Sequence, residues 1–386
     1  MRICLSTFAV IVSLVACQLL QAAEPSSAAG RALVKFVDDH VIAGAVTLVA
    51  QDGKIVSLDA VGRADLAGDR PMRPDTLFWI ASMTKPITTA SVMILQDEGK
   101  LSVLDPVKKY LPEFKSVALA GGATPSRPIT LRDLLTHTSG IANPPPEVQQ
   151  KTLTEVAEAV ARQPLQFEPG SQWKYGFGLS VAGRVVEVVS GQTFDAFVDD
   201  RICRPLGMND TTFYPSAEQR QRLATIYAVD KESKQLEPAK PPFFINAEPA
   251  VRHAPNPSGG LVSTAGDYYR FLQMVLNGGE LDGKRIVSAE AAKQMTSIQT
   301  GDIKSGFVAG SAWGLGWGIV REPQGPTAML SPGSYGHGGA FGTQAWVDPK
   351  RHAIFIMLIQ RAGMPNSDGS EMRIAFQTAA VTELKN

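Results

Sequence analysis

Residues 79–86 read WIASMTKP and place Ser82 three residues before Lys85. A serine hydroxyl becomes an effective nucleophile when a nearby base takes its proton. Lysine can be that base only as the free amine, and its ordinary pKa is about 10.4. Burial can lower that value by up to about 3–5 units, and the positive end of a helix pushes the same way. Pro86 is tolerated in a first helical turn. After it, ITTASVMILQDEGK puts Ile87, Ala90, Met93 and Ile94 on one side, with a stop near Gly99. The pattern predicts an amphipathic helix with Ser82 at or near its N-terminus and Lys85 one turn on, where residues three apart share a face. The Ser82 N–H then belongs to the unpaired donors of that end. The ordinary alternative is an N-capping serine followed by a surface lysine. A second Ser-x-x-Lys, Ser171 to Lys174 in GSQWKY, follows Pro169-Gly170 and reads as a turn with no helix to hold its lysine.

These residues need a scaffold. Residues 27–40 have helical spacing, and AVTLVAQDGKIVSLDAVG is two β-rich runs around Asp52-Gly53, a strong hairpin signal. The far end mirrors this: FGTQAWVDPKRHAIFIMLIQ is two strands around Asp348-Pro349-Lys350, followed by a helical pattern over about 368–383. The expectation is an α/β (α+β) fold, with one antiparallel sheet built from both ends and flanked by terminal helices. The middle is mostly helical. Thr130 to Asp133 and Thr152 to Glu155 are capping signals. LRDLLTHTSG stops at Gly140, GLSVAGRVVEVVSG at Gly191, and TAGDYYRFLQMVLNGG is a further helix. The expected division is 24–80 with 285–386 as the sheet region and 81–284 as a helical region carrying Ser82 and Tyr175 at the cleft. Residues 237–257 are proline-rich, a lid or a plain connection, where Phe243 and Phe244 are candidates for an acyl pocket or for ordinary packing.

Five blocks in order carry more information than any one of them: LFWIASMTKPITT, ITLRDLLTHTSGI, PGSQWKYGFGLSVAGRVVEVVSG, GGLVSTAGDYYRFLQMVLNGG and YGHGGAFGTQAWVDP. The series resembles the serine β-lactamase and penicillin-binding-protein superfamily, in particular the branch of class C β-lactamases, D-Ala-D-Ala carboxypeptidases and class VIII carboxylesterases. The resemblance implies an acylated nucleophile at Ser82, its base partner at Lys85, and a proton-relaying tyrosine at Tyr175. It implies that His337-Gly338-Gly339 is the third motif, on a strand beside the nucleophile. It implies an oxyanion hole from the N–H groups of Ser82 and Ala340, where losing one donor typically costs about 10²–10³ in rate. Two departures matter. Phe177 stands where the family has an asparagine, and His337 where most lactamases have a lysine. Both changes suit an ester with an apolar group better than a penicillin, so a carboxylesterase is expected. A β-lactamase or D-Ala-D-Ala carboxypeptidase is the alternative, and a non-catalytic cell-wall-binding relative a second one.

Other chemistries find little support. Lys+Arg and Asp+Glu balance at 37 each, which gives no pull toward nucleic acid. His40, His253 and His352 have no metal-binding spacing, and no cofactor is expected. There is no Gly-x-Ser-x-Gly elbow. His137 and Ser139 sit at a helix end beside Gly140, which reads as loop structure. Trp313 and Trp317 read as strand core. The opening MRICLSTFAVIVSLVACQLLQAAEP has the form of a secretory signal peptide, residues 1–23, so an exported, periplasmic or secreted chain is expected. Cleavage after Ala23 is the simpler exit. LVAC ending at Cys17 resembles a bacterial lipobox, so a membrane partner is expected only if Cys17 is lipidated. Of the three cysteines, Cys4, Cys17 and Cys203, only Cys203 falls in the folded part, as a small buried hydrophobe. The expected partner is a small-molecule ester or amide substrate.

Overall fold

The computed structural model describes residues 25–149, 151–240 and 254–385. The signal-peptide region with Cys4 and Cys17 lies outside the described residues, as do Phe243, Phe244, His253 and most of the proline-rich loop.

Among the described residues, eight strands form one sheet with antiparallel pairing throughout. Three come from near the N-terminus: β1 (Gly44–Gln51), β2 (Lys54–Asp65) and β3 (Arg70–Pro71). Five come from the C-terminal part: β4 (Ser311–Trp313), β5 (Gly318–Val320), β6 (Tyr335–Gly338), β7 (Gln344–Asp348) and β8 (Ala353–Leu358). The order is β4-β5-β6-β7-β8-β1-β2-β3, so the last strand pairs with the first. Asp52 and Gly53 both have positive φ, 52° and 75°, as a two-residue turn that follows the twist of its strands requires.

The helices that frame the site are α1 (Ala28–Asp38), α2 (Thr84–Asp97), α3 (Leu131–Leu135), α4 (Leu153–Ala161), α5 (Gly178–Ser190), α6 (Ala265–Leu276) and α7 (Glu371–Val381). Both faces of the sheet are covered, and the period-2 alternation of a strand sorts the residues. In β8, Ile354, Ile356 and Leu358 face the central helices, whereas Ala353, Phe355 and Met357 join Leu33 of α1 and Phe376 of α7. Thr130 and Thr152 cap α3 and α4 with reciprocal bonds to Asp133 and Glu155.

Two helices differ from expectation. Every residue of α2 from Thr84 to Leu95 is buried, so it is a central helix rather than an amphipathic one. Two of its hydroxyls are accommodated by backbone: Thr88 Oγ1 donates to the Pro257 carbonyl at 2.6 Å, and Ser91 Oγ to Ile87 at 3.0 Å. That masks the polar side chains that pattern reading assigns to solvent. Helix α3 ends at Leu135, not at Gly140. His137 takes a left-handed φ of 59°, and the carbonyls beyond the helix end are claimed by a distant loop: Thr138 accepts from Gly170 at 2.7 Å and Gly140 from Gln166 at 2.7 Å.

Candidate active site

Ser82 lies where a short strand becomes a helix. Phe78–Trp79 pairs with Val262–Ser263, and the Ile80 N–H donates to Leu261 at 3.0 Å. Ala81 then adopts φ 47°, a left-handed conformation unfavourable for a residue with a Cβ. The chain swings into the 3-10 turn Ala81–Met83, which leads directly into α2. Ser82 is half-buried at this corner, and Lys85 is buried behind it. Lys85 Nζ donates to Ser82 Oγ at 3.1 Å and to the Ser258 carbonyl at 2.6 Å. Burial pushes its pKa down to about 7, so an appreciable fraction is the free amine at neutral pH.

Tyr175 arrives from the loop before α5. Its ring centroid is 4.6 Å from Lys85 Nζ. Burial raises its pKa well above the usual phenol value; the hydrogen bond with Ser82 works against that shift and the Asp368 charge adds to it. Tyr175 is therefore a neutral hydroxyl at working pH, able to pass a proton on. Of the two groups beside Ser82, the amine is the one whose free form is populated near pH 7.

His337 is buried on β6, between β5 and β7. Its Nδ1 lies 2.6 Å from the Gly338 carbonyl, which can only accept, so the proton sits on Nδ1 and Nε2 is a bare acceptor. Burial, helped by the Lys85 charge and opposed by the Gly338 bond, pushes its pKa down to about 3. His337 is neutral over the whole working range, further from a cation than its sequence suggests.

The two glycines of the third motif stand where any side chain would collide with neighbouring protein. A Cβ on Gly339 would lie 2.0 Å from Thr343 Oγ1 and 2.6 Å from the Ile80 carbonyl; one on Gly338 would lie 2.4 Å from Asp368 Oδ1. They let protein approach protein, which brings β6 against the corner that carries Ser82. Ser82, Tyr175, His337 and Ala340 line one open cavity of about 640 Å³. Its other walls are Phe307, Met364 and Pro365, with Asp368 at one side. Phe177, the expected apolar contact, instead occupies the N-cap of α5, and Phe307 and Met364 provide the apolar surface. The second Ser-x-x-Lys is exposed, with Ser171 Oγ bonded to the Glu168 carbonyl.

The beta-lactamase family model matches residues 29–380. The chain belongs to this family. As a beta-lactamase-family protein it is a serine hydrolase in class. Among relatives, esterase EstB of Burkholderia gladioli is 31% identical, over 88% of this chain and 90% of EstB. A putative D-alanyl-D-alanine carboxypeptidase of Escherichia coli K12 is 29% identical, over 86% of this chain and 81% of that protein. The solved structure of EstCE1, a hydrolase with promiscuous acyltransferase activity, superposes with a TM-score of 0.77 at 25% identity, covering 92% of this chain and 97% of its own.

Several residues of this beta-lactamase-family site carry no readable sequence signal. Ser258 supplies the carbonyl that holds Lys85, and its own hydroxyl pairs with Ser180 of α5 at 2.7 Å. The only hint is the turn-forming run NPSGG. Phe307 and Met364 sit in loops and Asp368 in the 3-10 turn Ser367–Gly369, and the composition of these segments gives no warning. Asn366 Nδ2 donates to the Phe307 carbonyl at 3.1 Å and ties these two loops together at the cavity mouth. His137 lies in a loop, as its place beside Gly140 predicts, but it is buried with its ring centroid 4.4 Å from that of Tyr175.

Proposed function

We propose that the protein is a carboxylesterase that forms an acyl-enzyme on Ser82. The observation that carries this is the 3.1 Å contact between Ser82 Oγ and a lysine amine that burial makes available in part as a free base near pH 7. Lys85 takes the Ser82 proton as Oγ attacks the ester carbonyl. The N–H groups of Ser82 and Ala340 hold the oxyanion. The tetrahedral intermediate collapses, Tyr175 relays a proton from Lys85 to the departing alkoxide, and water then releases the acid by the same route in reverse.

An ester is favoured over a β-lactam or a D-Ala-D-Ala peptide by the charge of the cavity. Those alternatives carry a carboxylate. Among the described residues lining the cavity there is no lysine or arginine, His337 is neutral, and the Asp368 carboxylate stands at the side. Arg373 lies behind Asp368 at 3.6 Å and is fully buried. The named activity of esterase EstB points the same way. The E. coli relative supports carboxypeptidase activity as the second reading. We further propose that the chain is exported with cleavage after Ala23, which intact mass of the mature protein tests against lipidation at Cys17.

A fluorophosphonate probe and three parallel assays test the reading. The mature protein should label, Ser82→Ala should abolish labelling, and ester turnover should fall by at least about 10³-fold. p-Nitrophenyl esters should be turned over well ahead of nitrocefin and of a D-Ala-D-Ala peptide. Nitrocefin turnover far above ester turnover would reverse the order of the two readings, and labelling that survives Ser82→Ala would remove the nucleophile assigned here.

A further inference from the structure

The segment that carries Tyr175, residues 164–177, contains no helix, and something other than its own hydrogen bonding must hold the phenol against Ser82. We infer that His137 is the positioning residue that does this, an inference that rests on the role proposed above for Tyr175. His137 grips the chain on both sides of the tyrosine. Its carbonyl accepts from the Lys174 N–H at 2.9 Å, and its Nδ1 accepts from the Gly176 N–H at 3.4 Å. Between these two tethers its ring lies against the Tyr175 ring, with centroids 4.4 Å apart and planes inclined by 43°.

The left-handed backbone of His137, φ 59°, turns carbonyl and ring toward the same loop. The residue is only 2% exposed, so water cannot replace a lost acceptor. An accepting Nδ1 requires the proton on Nε2, and Nε2 finds no hydrogen-bond partner among the described residues. An unpaired buried N–H is destabilising, so this histidine is not simply the most stable filler for its site. Burial, with the Lys85 charge adding to it, lowers its pKa well below the usual value and keeps Nδ1 free to accept.

A small displacement of a catalytic group can cost about 10²-fold in rate. With p-nitrophenyl acetate and the mature chain, His137→Ala should lower kcat about 10–100-fold while KM stays within about 3-fold. His137→Asn tolerates the left-handed backbone and can offer an amide oxygen to Gly176, so it should recover part of that loss; it also carries the test should the alanine variant not fold. The decisive measurement is the double-mutant cycle with Tyr175→Phe. Once the phenol is gone, either His137 variant should cost less than about 3-fold more. An equal loss in both backgrounds, or no loss of kcat in the first, overturns the inference while leaving Tyr175 in place. If Tyr175→Phe alone keeps wild-type kcat, the reading of Tyr175 has failed, and the inference falls with it.

Discussion

At the scale of the residue, the chemistry and the stability of this protein meet in Lys85. An unfolded lysine keeps its proton to about pH 10.4, whereas the folded one releases it near 7. Between those values the unfolded chain binds the extra proton, so the contribution of Lys85 to stability rises with pH across this window and is lost as pH falls through about 7. The melting-temperature difference between Lys85→Met and wild type, variant minus wild type, should therefore shrink as pH rises from 7 to 10, which scanning calorimetry at several pH values would show. Activity follows the same titration. Ester kcat/KM should rise with pH through about 7 and then level off as far as Lys85 is concerned. Lys85→Arg should lose activity at every pH tested, because a guanidinium stays charged. The Ser-x-x-Lys spacing was legible in the sequence, but the burial that makes it useful was not. Two identical spacings occur; the Pro169-Gly170 turn already set Ser171 apart in the sequence, but only packing against residues 257–263 takes the water away from Lys85.

At the scale of the element, the site depends on how α5 seats on α3. Gly178 opens α5, and a Cβ there would lie 2.3 Å from the Leu134 carbonyl. Tyr175 precedes it by three residues, so any shift of this contact is transmitted to the phenol. Gly178→Ala should destabilise the fold by about 1–3 kcal/mol and lower kcat, as read by denaturant unfolding and ester kinetics on the same preparation. Helix starts were readable because their caps are local: Thr130, Thr152 and Thr264 each accept from a backbone N–H three residues on. The end of α3 was not readable, because His137, Thr138 and Gly140 pair with residues 174, 170 and 166, and nothing in THTSG announces those partners.

At the scale of the whole molecule, the two ends of the chain are one structural unit. β1 pairs with β8 from Val46↔Leu358 to Gln51↔Ala353, α1 packs on α7, and the Glu383 carboxylate accepts from the Ala29 N–H at 2.6 Å. Truncation before Glu371 would remove Met372, Phe376 and Ala380 from the layer on that face of the sheet. The truncated chain should unfold at a clearly lower temperature than the intact chain in calorimetry or fail to accumulate as soluble protein. The sequence by itself determined the paired strands at the two ends and the Asp52-Gly53 turn, the caps of α3 and α4, and the order of motifs that marks the family. These depend on residues within a few positions of one another, and short-range sterics and hydrogen bonding settle them. Only the tertiary structure decided that α2 is buried on all sides, that Lys85 loses its water, that His337 is locked as a neutral acceptor, and that Phe307, Met364 and Asp368 form the walls of the cavity. Each of these is a matter of desolvation or of contact between segments far apart in the chain, and such effects exist only once the segments are packed together.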